Sequence, residues 1–209
     1  MKLYYMPAAC SLSPNIVINE LGLDIELVKV DHRTHRTEDG RDFRELSPFG
    51  YVPLLELDDG TLLREGSAIV QYLADLRPQA KLAPAHGTLD RYRLQEWLSF
   101  LSSEIHKGFI PLLYARLAGA YGTETAKPKL EQRYHWLNEQ LADRDYLMGD
   151  YSVADAYLYS LTQWGQAEWL APTYKANIHF DGLENLKAWY LRMRSRPAVR
   201  KALDAEGLA

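Results

Sequence analysis

The sequence predicts a small α/β domain with a mixed sheet, followed by an all-helical bundle. Three observations carry this. A strand–helix–strand pattern fills the first thirty residues, a Gly-turned pair of short strands follows at 52–64, and beyond Gly87 apolar residues recur at spacings of three and four with no strand signal.

Lys2-Leu3-Tyr4-Tyr5-Met6 is short and aromatic-rich, which suits a strand, and Pro7-Ala8-Ala9 breaks it ahead of Cys10. Ser11 or Ser13 is expected to cap the next helix, with Pro14 in its first turn and Gly22 closing it. Ile25 to Val30 supplies a second strand, and two strands joined through a helix run parallel. After a further helix, Val52 to Leu57 and Thr61 to Arg64 read as antiparallel strands turned at Asp58-Asp59-Gly60. Ser67 to Leu76 returns to helical spacing, with Ile69, Val70, Leu73 and Leu76 on one side, and Pro78 ends it. Residues 1–77 therefore read β-α-β-α-β-β-α. Residues 78–87 carry two prolines and no periodicity, as a linker does. Residues 88–209 are expected to form about five helices, each needing its neighbours to cover an apolar face. The repeats are Leu94, Trp97, Leu98, Leu101 and Ile105, then Leu130, Tyr134, Leu137 and Leu141, then Val153, Tyr157, Leu161 and Trp164.

The 209 residues hold 24 Lys+Arg against 28 Asp+Glu, a formal charge of −4, with 47% hydrophobic residues and 1 Cys. Net negative charge argues against nucleic acid or an anionic membrane as a general partner. One Cys forms no internal disulfide, and no run approaches the ~18 apolar residues of a membrane span. Met1 leads straight into a strand pattern rather than a signal segment, so the expected location is the reducing cytoplasm.

Cys10 stands at a strand-to-helix turn, where unpaired N–H groups and the positive end of the helix favour thiolate. The redox spacing reads Cys10-Ser11-Leu12-Ser13, so a second sulfur has to come from another molecule. Val52-Pro53 opens a strand, and a cis bond there would expose the Val52 backbone for pairing. In Glu65-Gly66-Ser67, Gly66 permits an unusual turn while helix N–H groups and Ser67 can receive a carboxylate and Glu65 an ammonium. A plain cap fits those three residues equally well. Ser99, Ser103 and His106 lie four and three apart on one helix face, with Lys107 next; such a row is usually a solvated side, unless it faces the small domain, where His106 could orient or deprotonate a thiol. His32 and His35 are three apart beside Asp31, but a solvated basic loop accounts for them and no metal is expected. Lys187, Arg192, Arg194, Arg196, Arg200 and Lys201 read as a solvated basic surface. Ser152-Val153-Ala154-Asp155 has the spacing of a structural capping box.

Seven segments together resemble a known family: Lys2-Leu3-Tyr4-Tyr5, Cys10-Ser11-Leu12-Ser13-Pro14, Gly50-Tyr51-Val52-Pro53, Glu65-Gly66, Ile69 to Asp75, His106-Lys107-Gly108 and Val153 to Leu158. The chain is similar to bacterial beta-class glutathione S-transferases from Met1 to Leu208. The resemblance implies a thioredoxin-like N-terminal domain with cis-Pro53, a helical C-terminal domain, and a homodimer that uses glutathione as co-substrate, without metal. It implies Cys10 and His106 as catalytic residues. Val52 would pair with the cysteinyl backbone of glutathione beside Pro53, and Glu65, Gly66 and Ser67 would hold its γ-glutamyl end. Ser11, His35, Ser99, Ser103, Glu104, Ile105 and Lys107 would complete the tripeptide site. Met6, Ala8, Phe109, Ile110, Tyr114 and Trp164 are the apolar candidates for an electrophile pocket. His35 and Ser99 depart from the commoner Lys and Asn of the class, with Arg33 or Arg36 as replacement cations. The implied reactions are conjugation of glutathione to hydrophobic electrophiles, thiol–disulfide exchange through a Cys10 mixed disulfide, or both. A cysteine is the better exchange partner because S–H is a weak hydrogen-bond donor. The competing reading is a non-catalytic binding or interaction protein on the same scaffold.

Overall fold

The computed structural model describes residues 1–167 and 180–208; residues 168–179 of the expected bundle lie outside them. The chain divides into two compact units, Met1–Ala83 with Ser195–Ala209, and Pro84–Arg194.

In the first unit, β1 (Lys2–Tyr5), β2 (Glu26–Lys29), β3 (Leu54–Glu56) and β4 (Leu62–Arg64) form one sheet in the order β2-β1-β3-β4. β1 runs parallel to β2 and antiparallel to β3, and β3 runs antiparallel to β4, so the sheet is mixed as expected. Side chains alternate across the strands. Tyr4 and its register partner Leu54 therefore share one face, where they pack with Val30 and Phe43. Leu3 and Leu55, also register partners and fully buried, point the other way. The crossover helix α1 (Leu12–Leu21) ends at Gly22, whose φ of +60° is the left-handed cap that glycine accepts. α2 (Gly66–Asp75) buries Ile69, Val70, Leu73 and Ala74.

Three expectations need correction here. The helix anticipated between β2 and β3 is a single 3₁₀ turn, Phe43–Glu45. Asp31 accepts from the Arg33 and Thr34 N–H groups at 3.1 and 2.7 Å, Asp39 from Arg41 N–H at 3.3 Å, and Asp42 from Arg44 N–H at 3.0 Å. These local turns compete with helix for the same backbone donors. Neither expected serine caps α1: the Ser11 hydroxyl bonds the backbone of Met6, and that of Ser13, already inside the helix, donates to the Cys10 carbonyl at 2.8 Å. The final helix of the expected 88–209 domain instead packs in the first unit. Its Val199, Ala202 and Leu203 are buried, Asn15 of α1 donates to Glu206 at 3.0 Å, and Arg196 grips both oxygens of Glu20 at 2.6 and 3.0 Å.

The second unit starts with α3 (Leu89–Phe100), capped by Thr88. It passes through a wide π-type segment, Leu101–His106, into α4 (Lys107–Leu113) and the short α5 (Ala115–Ala118). A second π-type segment, Gly122–Ala126, leads into α6 (Lys127–Gln140). α7 (Val153–Gln166) is buried along most of its length, and α8 (Glu184–Ser195) follows the undescribed stretch. Leu130, Tyr134 and Leu137 of α6 turn inward with Leu186, Trp189 and Met193 of α8. α9 (Pro197–Glu206) is the helix that joins the first unit.

Candidate active site

Cys10 ends the loop between β1 and α1, largely buried, and its Sγ lies 3.4 Å from the Val52 carbonyl oxygen, to which the thiol donates. The Val52–Pro53 peptide is cis. Gly66, the first residue of α2, closes the same corner: a Cβ placed there would sit 3.6 Å from Pro53 and 4.0 Å from the Ser13 hydroxyl. The start of β3 and the first turns of α1 and α2 thus meet at one corner, where the Cys10 sulfur lies on the Val52 carbonyl. The N–H groups expected to wait for an anion are partly occupied, since Leu12 donates to Ala9 and Ser13 to Cys10. The unusual turn beside α2 belongs to Glu65 rather than Gly66. Glu65 has φ +67° and ψ 116°, a conformation side chains rarely adopt, and its carbonyl accepts from Ala68 and Ile69 to start the helix. Its side chain is exposed and makes no cap bond.

In the helical unit, the π-type segment rotates His106 out of the row that Ser99 and Ser103 form. Those two serines are exposed, with the Ser103 hydroxyl donating back to the Ser99 carbonyl at 3.0 Å, whereas the imidazole is drawn inward. Its Nδ1 lies 3.0 Å from the Tyr157 hydroxyl, and its ring meets Trp164 edge-on with centroids 5.1 Å apart. Burial, reinforced by the neighbouring Lys107 charge, pushes the His106 pKa down to about 4. The ring is neutral at pH 7.

The family model described as the glutathione S-transferase N-terminal domain matches residues 9–76, and that for the C-terminal domain matches residues 100–197. The glutathione S-transferase GstA of Escherichia coli O157:H7 is 42% identical over the full length of both chains. The chain belongs to the glutathione S-transferase family. Among solved structures, a sphingomonad glutathione S-transferase complexed with glutathione is 43% identical with a TM-score of 0.91, and each chain covers 100% of the other. A bacterial beta-class glutathione S-transferase of Sphingomonas chungbukensis is 40% identical with a TM-score of 0.91 at the same coverage. The sheet with α1 and α2 is accordingly the thioredoxin-like domain of a glutathione S-transferase, and the helices over residues 100–197 belong to its C-terminal domain.

Within this transferase the expected site residues fall into two groups, one per unit. Cys10, Val52, Pro53 and Gly66 come together in the first, with Ser67 next along α2 and Met6 and Ala8 on the adjoining loop. Ser11 is fully buried with its hydroxyl committed to Met6, which leaves a contact to a ligand for its backbone. His35 packs its ring on Gly50, where a Cβ would lie 2.5 Å from Nδ1, and that nitrogen is buried without a partner. Arg36, a candidate replacement cation, is engaged with the Gly40 carbonyl. In the helical unit Lys107 and Tyr114 are exposed and Ile110 half-buried. Ile105 and Phe109 are fully buried on the inner helix face, so their side chains serve packing; Phe109 lies edge-on to Trp164 at 5.5 Å. Glu104 is held by Arg133 at 2.7 and 2.9 Å. Sequence reasoning missed Glu206, which accepts the Ala8 N–H at 3.1 Å two residues before the cysteine, and Tyr157, read there as ordinary core. No local pattern marks either one.

Proposed function

We propose that this transferase carries out glutathione-dependent thiol–disulfide exchange through Cys10 and conjugates glutathione to hydrophobic electrophiles. The observation that carries the reading is the 3.4 Å approach of Cys10 Sγ to the Val52 carbonyl. A cysteinyl backbone paired with Val52 would bring its own sulfur beside Sγ. In exchange, the Cys10 thiolate attacks the glutathionyl sulfur of a mixed disulfide, forming Cys10–S–S–glutathione and releasing the other thiolate. A glutathione thiolate then attacks that bond, giving glutathione disulfide and regenerating Cys10. Both steps balance without any further oxidant.

Glu65, Gly66 and Ser67 hold the γ-glutamyl end in this reading, and the left-handed Glu65 backbone is the kind of unusual conformation that functional turns retain. Ser99, Ser103 and Lys107 of the helical unit are assigned to the tripeptide in this reading, and His106 acts as a neutral group in the reaction. The protein works as a cytoplasmic homodimer. Met6, Ala8, Ile110, Tyr114 and Trp164 are assigned to the electrophile in this reading, while Phe109 packs against Trp164.

Glutathione titration by calorimetry under reducing conditions, with wild type and Cys10→Ala side by side, tests the site. Saturable binding is expected in both. Reduction of a glutathionylated substrate is expected to disappear in Cys10→Ala while conjugation of an aromatic halide persists; intact disulfide reduction in the variant rejects the exchange mechanism.

A further inference from the structure

Tyr157 sits on the buried row of α7 with Val153, Leu161 and Trp164, where a phenylalanine would fill the same volume. Packing does not account for its hydroxyl. That oxygen lies 3.0 Å from His106 Nδ1, and the tyrosine is itself only 3% exposed. The imidazole is clamped on two sides, its ring 6.2 Å from Tyr157 and 5.1 Å from Trp164, both near perpendicular. Turning the ring over would put a carbon against the buried hydroxyl.

We propose that Tyr157 is a positioning residue for His106: its O–H donates to Nδ1, so the neutral ring carries its proton on Nε2 and offers it as a fixed donor. Two arrangements satisfy a 3.0 Å contact, Tyr157 O–H to Nδ1 or Nδ1–H to the phenol oxygen. Imidazole nitrogen is a far stronger base than a phenol oxygen, and the phenol O–H is the stronger acid, so the first is favoured. The hydrogen bond at one ring nitrogen then decides which nitrogen is protonated. Nε2 has no hydrogen-bond partner among the described residues and is not a buried orphan, which leaves its N–H available to an incoming group. Because the ring is neutral, it holds a single N–H, and Tyr157 decides where that proton sits.

The catalytic consequence rests on the proposed role of His106 in the reaction, whereas the tautomer assignment does not. Nitrogen-15 spectra of histidine-labelled protein at pH 7 read the assignment directly, with His106→Gln identifying the His106 signals. The wild type is expected to show an acceptor-type Nδ1 and a protonated Nε2, and Tyr157→Phe a mixture of tautomers. Alongside, Tyr157→Phe is expected to lower kcat about tenfold or more, with KM for glutathione within about twofold. A proton on Nδ1 in the wild type, or an unchanged tautomer in Tyr157→Phe, overturns the proposal; the wild-type spectrum decides this even where the variant folds poorly. A tautomer shift with unchanged kcat upholds the assignment and instead removes His106 from the chemistry.

Discussion

Asp155 is fully buried at the start of α7, and its two oxygens accept from the Leu147 and Ser152 N–H groups at 3.0 Å each, the Ser152 hydroxyl at 3.2 Å and the Trp189 indole at 3.0 Å. Removing the carboxylate strands several buried donors. Asp155→Ala is therefore expected to cost about 3 kcal/mol, seen as a lowered urea midpoint with unchanged slope. Unchanged stability would contradict that account. Glu206 is perturbed the other way from a paired surface acid: burial raises its pKa from 4.5 to about 7, against the lowering by Asn15 and the Ala8 N–H. Folding thus favours its protonated form. The stability this provides is present below about pH 4.5 and is lost as pH rises through about 7. Glu206→Gln is expected to flatten the fall of Tm across that window, and an identical pH profile in variant and wild type would reject this. Legibility at this scale follows sequence separation. The Ser152–Asp155 box is readable because its partners are three residues apart, while Tyr157 meets His106 across 51 positions and Glu206 meets Ala8 across 198. Cys10 is readable because strand and helix signals flank it at once.

Among elements, the strands and helices α1 and α2 follow from apolar spacing and turn residues, and the observed sheet order agrees with the parallel and antiparallel pairs these imply. The helix expected between β2 and β3 shrinks to the turn Phe43–Glu45 because the aspartates before and within it satisfy backbone donors locally, a competition that apolar periodicity does not register. The π-type segment at Leu101–His106 escaped notice for a related reason: it adds width to a helix without changing its composition, and it separates His106 from Ser99 and Ser103. α9 looked like one more bundle helix by spacing, yet its apolar face covers α1. Leu203→Ala, at a site only 3% exposed, is expected to cost about 3 kcal/mol and to loosen α1, the helix that follows Cys10. Hydrogen exchange should show faster opening of α1 amides in that variant, and unaltered protection there would contradict the coupling.

At the scale of the whole chain, the two units carry different chemical groups. One holds the cysteine corner and the other a neutral histidine. No helix among the described residues is long and apolar enough to cross a membrane. His106, with its pKa pushed from 6.5 down to about 4, contributes stability that is present above pH 6.5 and lost as pH falls through about 4. It should add no limb to the rate profile between pH 6 and 8, and a titration there that vanishes in His106→Gln would contradict its neutral state. The central claim is that Cys10 takes the glutathionyl group. Intact mass after exposure to glutathione disulfide tests it most directly, because Cys10 is the chain's single cysteine. One glutathionyl adduct on the wild type, discharged by excess glutathione with release of glutathione disulfide, is the predicted result. A wild-type chain that binds glutathione yet stays unmodified would contradict the account.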